Sequence, residues 1–329
     1  MRRFSQRAGT PTAVVLGPLF LDVVFGSLKE LPQPGQELWC EDCAFVAGGA
    51  ANQARALRRM GFDVGLCSFL GEDLPGAMVT SLLDDDGIST DLLHPVPRQA
   101  VTAAISVGGD RAMVSSGTNG APPLTGAAPS LLMSDLRSLE ANRETVSRWR
   151  DEGTYVIGDV GWDDSGLWDS GDLAPLDLVD IFVPNEEEAC NYTRAGSAIS
   201  AAEQLAELVP TVVVTRGSNG TVVAGDDGHG GNGENGSLAF PAYPARTVDP
   251  TGAGDVFSAV LAWGVAQGVE LRQAISAASL AGALSTERLG GAGAPTLGEL
   301  RERAFEASRD PEWQYAGFDL SLLTTPDAR

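Results

Sequence analysis

Asp249-Pro250-Thr251-Gly252-Ala253-Gly254-Asp255, followed by the run Val256-Phe257-Ser258-Ala259-Val260-Leu261-Ala262-Trp263, is the stretch on which the reading of this chain turns. The small residues at 252–254 leave backbone N–H groups exposed where a helix begins. Such an end has unsatisfied donors and partial positive charge, so it can hold a phosphate without any lysine. Asp255 then has two readings. It is a first-turn acid favoured by the helix dipole, or it takes a proton from a hydroxyl while the amides stabilise charge on a transferring phosphate.

The basic residues narrow the choice. Lys29 is the only lysine among the 22 basic side chains. A Walker-type loop and a protein kinase each require a lysine on the phosphates, and a pyridoxal phosphate enzyme requires one for its Schiff base. Lys29, in Ser27-Leu28-Lys29-Glu30-Leu31-Pro32, has no glycine-rich or strand–helix context for any of these. The 44 acidic residues bring the formal net charge to −22, which argues against nucleic acid and anionic membrane as partners. Cys40 and Cys43 form a lone C-x-x-C, and His94 and His229 lack zinc-ligand spacing. Reduced thiols in a cytoplasmic protein are the simpler reading. The run Ala13–Leu21 imitates a signal peptide, but Pro18 breaks it and Asp22 ends it. No stretch approaches the ~20 apolar residues of a membrane span.

Short apolar runs alternate with amphipathic stretches, as in an α/β sheet with helices on its faces. Strands are expected at 13–16, 64–69, 155–157, 181–183, 211–215 and 221–224. Helices are expected at 50–60, 76–86, 131–149, 201–208, 255–266, 271–286 and 297–307. Gln36–Val46 and Gln99–Ser115 read instead as partly polar strands, the second with a Gly108-Gly109-Asp110 turn, and together they make a small extra sheet. Trp39, Phe45 and Met113 are expected to pack within it, with contact to a ligand's ring as the alternative reading. Asp226–Ser237 reads as a long glycine-rich hairpin loop, and the residues after about Leu323 as a loose tail.

A second motif, Gly48-Gly49-Ala50-Ala51-Asn52-Gln53-Ala54, opens the helix that ends near Gly61. Its glycines allow backbone to approach a ligand, and Asn52 offers both a donor and an acceptor. By itself it reads equally well as a turn and helix cap. A dinucleotide fingerprint is absent, since Phe257 stands where Gly252 and Gly254 would need a third glycine.

The two motifs, in this order and 200 residues apart, resemble those of the PfkB, or ribokinase-like, carbohydrate kinases. Asp22 after the first strand, the Pro34-Gly35 turn, Asn185-Glu186-Glu187-Glu188 and Val214-Thr215-Arg216-Gly217-Ser218-Asn219-Gly220 add to the resemblance, which spans most of the chain. The resemblance implies a three-layer α/β/α fold with a mostly parallel central sheet, forming one kinase domain over residues 1–329. A small β lid would be made by two insertions, at about 22–47 and 99–117. It implies ATP-dependent transfer of the γ-phosphoryl group to a hydroxyl of a monosaccharide. Asp22, Gly48, Gly49 and Asn52 would hold the acceptor, Asp255 would be the base, and Gly252, Ala253 and Gly254 would form the anion hole. Asn185, Thr215, Arg216, Gly217 and Gly220 would line ATP. Glu188 would reach Mg²⁺ through water, although Glu186 and Glu187 also read as a solvated helix start. Asp249 would help hold a monovalent cation such as K⁺, and the lid would allow a homodimer.

The resemblance has departures. Gly-Gly-Ala-Ala-Asn lacks the lysine or serine that some sugar-kinase branches carry there, so their substrates do not transfer. Asp159-Val160-Gly161-Trp162 stands where many relatives have Asp-x-Asn, which leaves the part of Asp159 open. A nucleoside kinase on the same scaffold is the nearest alternative, and a non-catalytic sugar or nucleotide sensor the next. An intact Asp255 between its glycines counts against the sensor, because a pure binder has no use for a base there.

Overall fold

The computed structural model describes residue 4 and residues 12–107, 110–226, 237–289, 293–309 and 317–325. The Gly108-Gly109 turn, the glycine-rich run at 227–236 and the chain end after Thr325 lie outside the described residues.

The chain begins with β1 (Thr12–Leu16), β2 (Leu19–Leu28) and β3 (Cys43–Gly49), then α1 (Ala50–Arg59), β4 (Asp63–Gly71), α2 (Leu74–Asp85) and β5 (Leu93–Val96). A hairpin of β6 (Ala100–Val107) and β7 (Asp110–Ser116) precedes β8 (Leu131–Asp135), α3 (Leu136–Ala141), α4 (Arg143–Asp151) and β9 (Tyr155–Asp159). A 3₁₀ segment (Ser170–Leu178) leads to β10 (Ile181–Phe182), α5 (Glu186–Thr193), α6 (Ala198–Leu205), β11 (Thr211–Thr215), β12 (Thr221–Gly225) and β13 (Leu238–Phe240). The helices α7 (Ala253–Ala266), α8 (Leu271–Ser285) and α9 (Leu297–Ala307) follow, with a last turn at Ser321–Thr324.

Nine strands form the central sheet, in the order β13-β12-β11-β10-β9-β8-β1-β4-β5. Every pairing from β11 to β5 is parallel, and β12 and β13 close one edge antiparallel. Its strands are apolar on both faces because both faces are covered. Alternate residues enter different cores. Ala13, Val15, Leu131, Met133, Tyr155, Ile157, Val213 and Val223 pack with α1, α7, α8 and α9. Val14, Leu16, Leu132, Val156, Phe182, Val212, Val214 and Val222 pack with α3, α4, α5 and α6. Each large aliphatic side chain so buried contributes about 1.5–3 kcal/mol. The result is the three-layer α/β/α arrangement that the sequence predicts.

The expected helix over 131–149 divides into three. Leu131–Asp135 is β8, between β1 and β9, because a short apolar run fits a covered strand as well as a buried helix. Asp135 then caps α3 by accepting the Ser138 N–H at 2.8 Å. Asn142, between α3 and α4, turns its side chain inward to the Leu124 N–H and the Ser138 carbonyl. The strand expected from Gln36 begins only at Cys43, where pairing with Phe25 of β2 starts.

The small sheet has the order β3-β2-β6-β7. Residues in register share a face, so Asp22, Val46, Thr102 and Ser115 lie on one side and Val23, Phe45, Ala103 and Val114 on the other. The first side turns toward the central sheet. The second is apolar and open: Phe45 is 49% and Val114 71% exposed. Trp39 and Met113 are also exposed, so the packing expected of Trp39, Phe45 and Met113 is not found among the described residues. Among the described residues no layer covers the outer side of this four-stranded sheet, which leaves Phe45 half exposed. Among the described residues no helix is long and apolar enough to cross a membrane.

Candidate active site

The carboxyl ends of the parallel strands point to one rim of the central sheet, where open α/β folds place their ligands. Asp159 ends β9, Asn185 opens α5 just after β10, and Thr215 ends β11. The N-termini of α1 and α7 meet the same rim.

Asn52 and Asp255, 203 residues apart, are in contact there. Asn52 Nδ2 donates to Asp255 Oδ2 at 3.1 Å, and Gln53 Nε2 donates to Asp255 Oδ1 at 3.2 Å. The same Gln53 amide donates to Asp159 Oδ2 at 3.2 Å, so it bridges the two acids. Burial raises the pKa of Asp255, and the hydrogen bond from Asn52, the charge of Arg111 and the hydrogen bond from Gln53 oppose that rise. Its side chain still opens partly to the cleft.

Gly252 caps α7 in the left-handed conformation (φ 77°), which favours glycine. Gly254 is exposed, with open space where a side chain would be. The Ala253 N–H donates to the Pro250 carbonyl at 3.2 Å, so one of the three expected anion-hole donors is engaged within its own loop.

Asp22 lies on the inward side of β2 and hydrogen-bonds Thr102, whose hydroxyl is 2.9 Å from that of Ser115. Burial lifts its pKa to about 6, with Thr102 opposing and nearby Asp255 adding to the rise. Gly48 faces this carboxylate so closely that a Cβ there would collide with it. At Gly49 (φ 63°) a Cβ would strike the Pro18 carbonyl. The structure thus brings Asp22, Gly48, Gly49, Asn52 and Asp255 into one neighbourhood.

The expected nucleotide residues form the adjoining wall. Asn185 and Glu188 make a reciprocal capping box: Asn185 Oδ1 accepts the Glu188 N–H and Glu188 Oε2 accepts the Asn185 N–H, both at 2.9 Å. Glu188 is buried, and desolvation raises its pKa to about 7. Burial and then the charge of Glu188 push Asp159 well above the usual carboxylate range. The Thr215 N–H donates to the Pro184 carbonyl at 3.0 Å, joining β11 to the Asn185 segment. Arg216 lies 3.4 Å from Glu186. Gly217 and Gly220 both have positive φ, and a Cβ at Gly220 would collide with the Phe240 carbonyl, so that glycine shapes the β11–β12 turn.

Asp249 is fully buried beneath the 250–254 loop. Its Oδ1 accepts from Ser106 Oγ at 3.2 Å, the Thr251 N–H at 3.0 Å and Thr251 Oγ1 at 2.7 Å. These three donors on one oxygen tie the 249–251 loop to β6. Among the described residues no three His, Cys, Asp or Glu side chains could together hold a metal ion. Glu188 and Asp255 raise the pKa of Asp159, Asp255 also raises that of Glu188, and a divalent cation bound mainly by phosphate oxygens and water would relieve that repulsion.

Gln53, Arg55, Thr102, Ser106 and Arg111 were not singled out from sequence. Gln53 stands inside the quoted glycine motif, and Arg55 is a charge on an otherwise small and apolar helix face. Those two could have been noticed. Ser106 and Arg111 reach the site only because β6 and β7 lie over the 249–251 loop, Arg111 Nη1 donating to the Pro250 carbonyl at 3.2 Å.

The model for "pfkB family carbohydrate kinase" matches residues 13–297. A ribokinase of Lactococcus lactis is 26% identical over 306 residues, covering 89% of this chain and 96% of its own. The bifunctional protein HldE of Caulobacter vibrioides is 27% identical over 332 residues, which are 91% of this chain but 65% of that longer protein. Among solved structures, Arabidopsis thaliana ribokinase complexed with ribose and ATP superposes with a TM-score of 0.71 at 23% identity, covering 89% of this chain and 98% of that one.

Proposed function

The chain belongs to the pfkB family of carbohydrate kinases, and from that premise we propose that it transfers the γ-phosphoryl group of ATP to a hydroxyl of a monosaccharide. The observation that carries this reading is Asp255 at the start of α7, held by the amides of Asn52 and Gln53. The two amide donors orient the carboxylate, while burial raises its proton affinity toward that useful to a base.

In this reading Asp22 and Asn52 fix the acceptor, with Gly48 and Gly49 letting it lie against backbone. The reactive hydroxyl then points at Asp255, which takes its proton as the new O–P bond forms and the bond from the γ-phosphorus to the leaving ADP oxygen breaks. The N–H groups of Gly252, Ala253 and Gly254 receive the charge on the transferring group, Ala253 giving up its long bond to Pro250. Losing one such donor typically costs about 3–4 kcal/mol in the barrier. Asn185, Thr215, Arg216, Gly217 and Gly220 line the nucleotide. Mg²⁺, when bound, would neutralise phosphate oxygens, and Glu188 would hold it through a water. Asp249 keeps the anion-hole loop in shape and would help hold a monovalent cation such as K⁺ beside it.

The small sheet, contributed by the segments near 22–47 and 99–117, serves as a lid whose inner side carries Asp22. Closure excludes water, the competing phosphoryl acceptor. Its open outer side, with Val23, Phe45, Ala103 and Val114 in one row, fits a second copy of the chain.

The test is acceptor-dependent ADP release from Mg-ATP across a panel of sugars, sugar phosphates and nucleosides. A sugar should raise turnover, and Asp255→Asn should abolish the increase. No active acceptor, or a fully active Asn variant, refutes the assignment. A nucleoside as the preferred acceptor replaces the sugar by the alternative substrate.

A further inference from the structure

Arg55 is 2% exposed, in a helix whose neighbouring positions are mostly alanine. A buried guanidinium is expensive to desolvate, and an apolar side chain of similar volume is often no less stabilising. Three of its hydrogen bonds use a fork that lysine lacks. Nε donates to Asp86 Oδ2 at 2.6 Å, Nη2 to the Ala47 carbonyl at 3.0 Å, and Nη1 to Asn52 Oδ1 at 3.1 Å. Asp86 also lies 3.7 Å from Arg59.

These bonds converge on the acceptor side of the site. Asn52 and Arg55 share a helix face at i,i+3. With its oxygen held by Arg55, the Asn52 amide can only turn its NH₂ toward Asp255, where Nδ2 donates at 3.1 Å. Flipped, the same side chain would set an oxygen against a carboxylate. Ala47 is the last residue before the Gly48-Gly49 turn, so Nη2 anchors the strand end that carries those glycines.

We propose that Arg55 is a positioning residue for phosphoryl transfer, fixing the Asn52 amide toward Asp255 and pinning the end of β3. The inference rests on reading Asp255 as the base, and it acts through Asn52 rather than on any substrate.

The test reads Asp255 without nucleotide or acceptor. Aspartate is labelled with ¹³C at its carboxyl carbon, and the Asp255 signal is assigned by its loss in Asp255→Asn. Wild type, Arg55→Lys, Asn52→Ala and the double variant are then titrated. The charged groups facing Asp255 are Asp22 on β2, Asp159 on β9, Glu188 on α5, Arg111 on β7 and Arg55 itself. Arg55→Lys leaves all these charges in place, so a shift reports the amide donor rather than the field. Asn52→Ala should move the midpoint up by about one pH unit and Arg55→Lys by about half that. The double variant should move no further than Asn52→Ala alone. Arg55→Gln, a second variant that also removes the cation, should shift it further than Arg55→Lys. An unshifted Asp255 in both Arg55 variants, or a double variant whose shift is the sum of the singles, overturns the proposal. Failure of every acceptor in the kinase assay would sink the functional reading while leaving this titration interpretable.

Discussion

Gly48→Ala tests whether the space beside Asp22 is reserved for the acceptor. A Cβ at residue 48 would lie 2.7 Å from Asp22 Oδ1 and closer still to Oδ2 and Cγ, where ordinary contact begins at 3.4 Å. The backbone has little room to yield, because β2 is held by β3 on one side and β6 on the other. The Asp22 carboxyl therefore retreats, by about 1 Å, and a misplacement of that size can cost about 100-fold in rate. That corresponds to about 2.7 kcal/mol in the barrier. Overpacking also costs about 1–3 kcal/mol of stability, so a melting curve should accompany the kinetics. Coupled ADP-release kinetics with the best acceptor at saturating Mg-ATP should show kcat/KM for the acceptor falling about 100-fold, with KM for ATP unchanged. A folded variant with wild-type kcat/KM, or one whose loss lies entirely in KM for ATP, refutes the reasoning.

The remaining predictions address pH, packing and assembly. Asp22 and Glu188 have pKa values raised from 3.8 to about 6 and from 4.5 to about 7. Between those limits the folded protein binds more protons than the unfolded chain, so stability falls as pH rises from about 4 to 7, by on the order of 3 kcal/mol for Asp22 alone. Thermal melts of the ligand-free protein should show Tm higher near pH 5 than at pH 7, with a flatter profile in Glu188→Gln; a Tm that rises across that range would contradict the raised pKa values. Asn142→Ala should cost about 1–3 kcal/mol in urea unfolding, because it leaves the buried Leu124 N–H without the Asn142 oxygen 2.6 Å away, while activity per folded molecule stays unchanged. Val114→Asp, on the open side of the small sheet, should give a monomer in analytical ultracentrifugation where wild type is a dimer; a wild-type monomer at micromolar concentration would remove the second copy from that face.

Different parts of the molecule were legible in the sequence to different degrees. Strands covered on both faces announced themselves as apolar runs, and α7, α8 and α9 matched their expected spans within two residues because each is long and well bounded. β8 was hidden because Leu131-Leu132-Met133 runs straight into a helical stretch, with only Asp135 marking the change. β2 was missed for a related reason: Asp22 looks like the end of an apolar run, yet it points inward from the middle of a strand. The site residues were visible where they sat in glycine motifs. The order of Asp22, Asn52 and Asp255 along the chain does not show that Gln53 bridges Asp159 and Asp255, or that Ser106 clamps Asp249. Those contacts depend on how helix ends and a second sheet meet, which local patterns do not encode.

The charge pattern links the chain's odd composition to its chemistry. One lysine and a net charge of −22 look hostile to a triphosphate. At the site the difficulty is sharper, since Asp22, Asp159, Glu188 and Asp255 are crowded together and all have raised pKa values. Arg55 and Arg111 lower the pKa of Asp255 but do not outnumber the acids. On the proposed function, ATP alone would therefore be repelled, whereas the metal complex brings the missing positive charge with it. The backbone amides of α7 would add directional donors without adding another titratable group. Glu188, near pH 7 in the ligand-free protein, would release its proton as the cation arrives, so nucleotide binding should tighten as pH rises through that value. On that function the same acids that raise the cost of the empty fold at neutral pH would make its affinity depend on a divalent cation, which would couple folding stability, proton release and catalysis in one cluster.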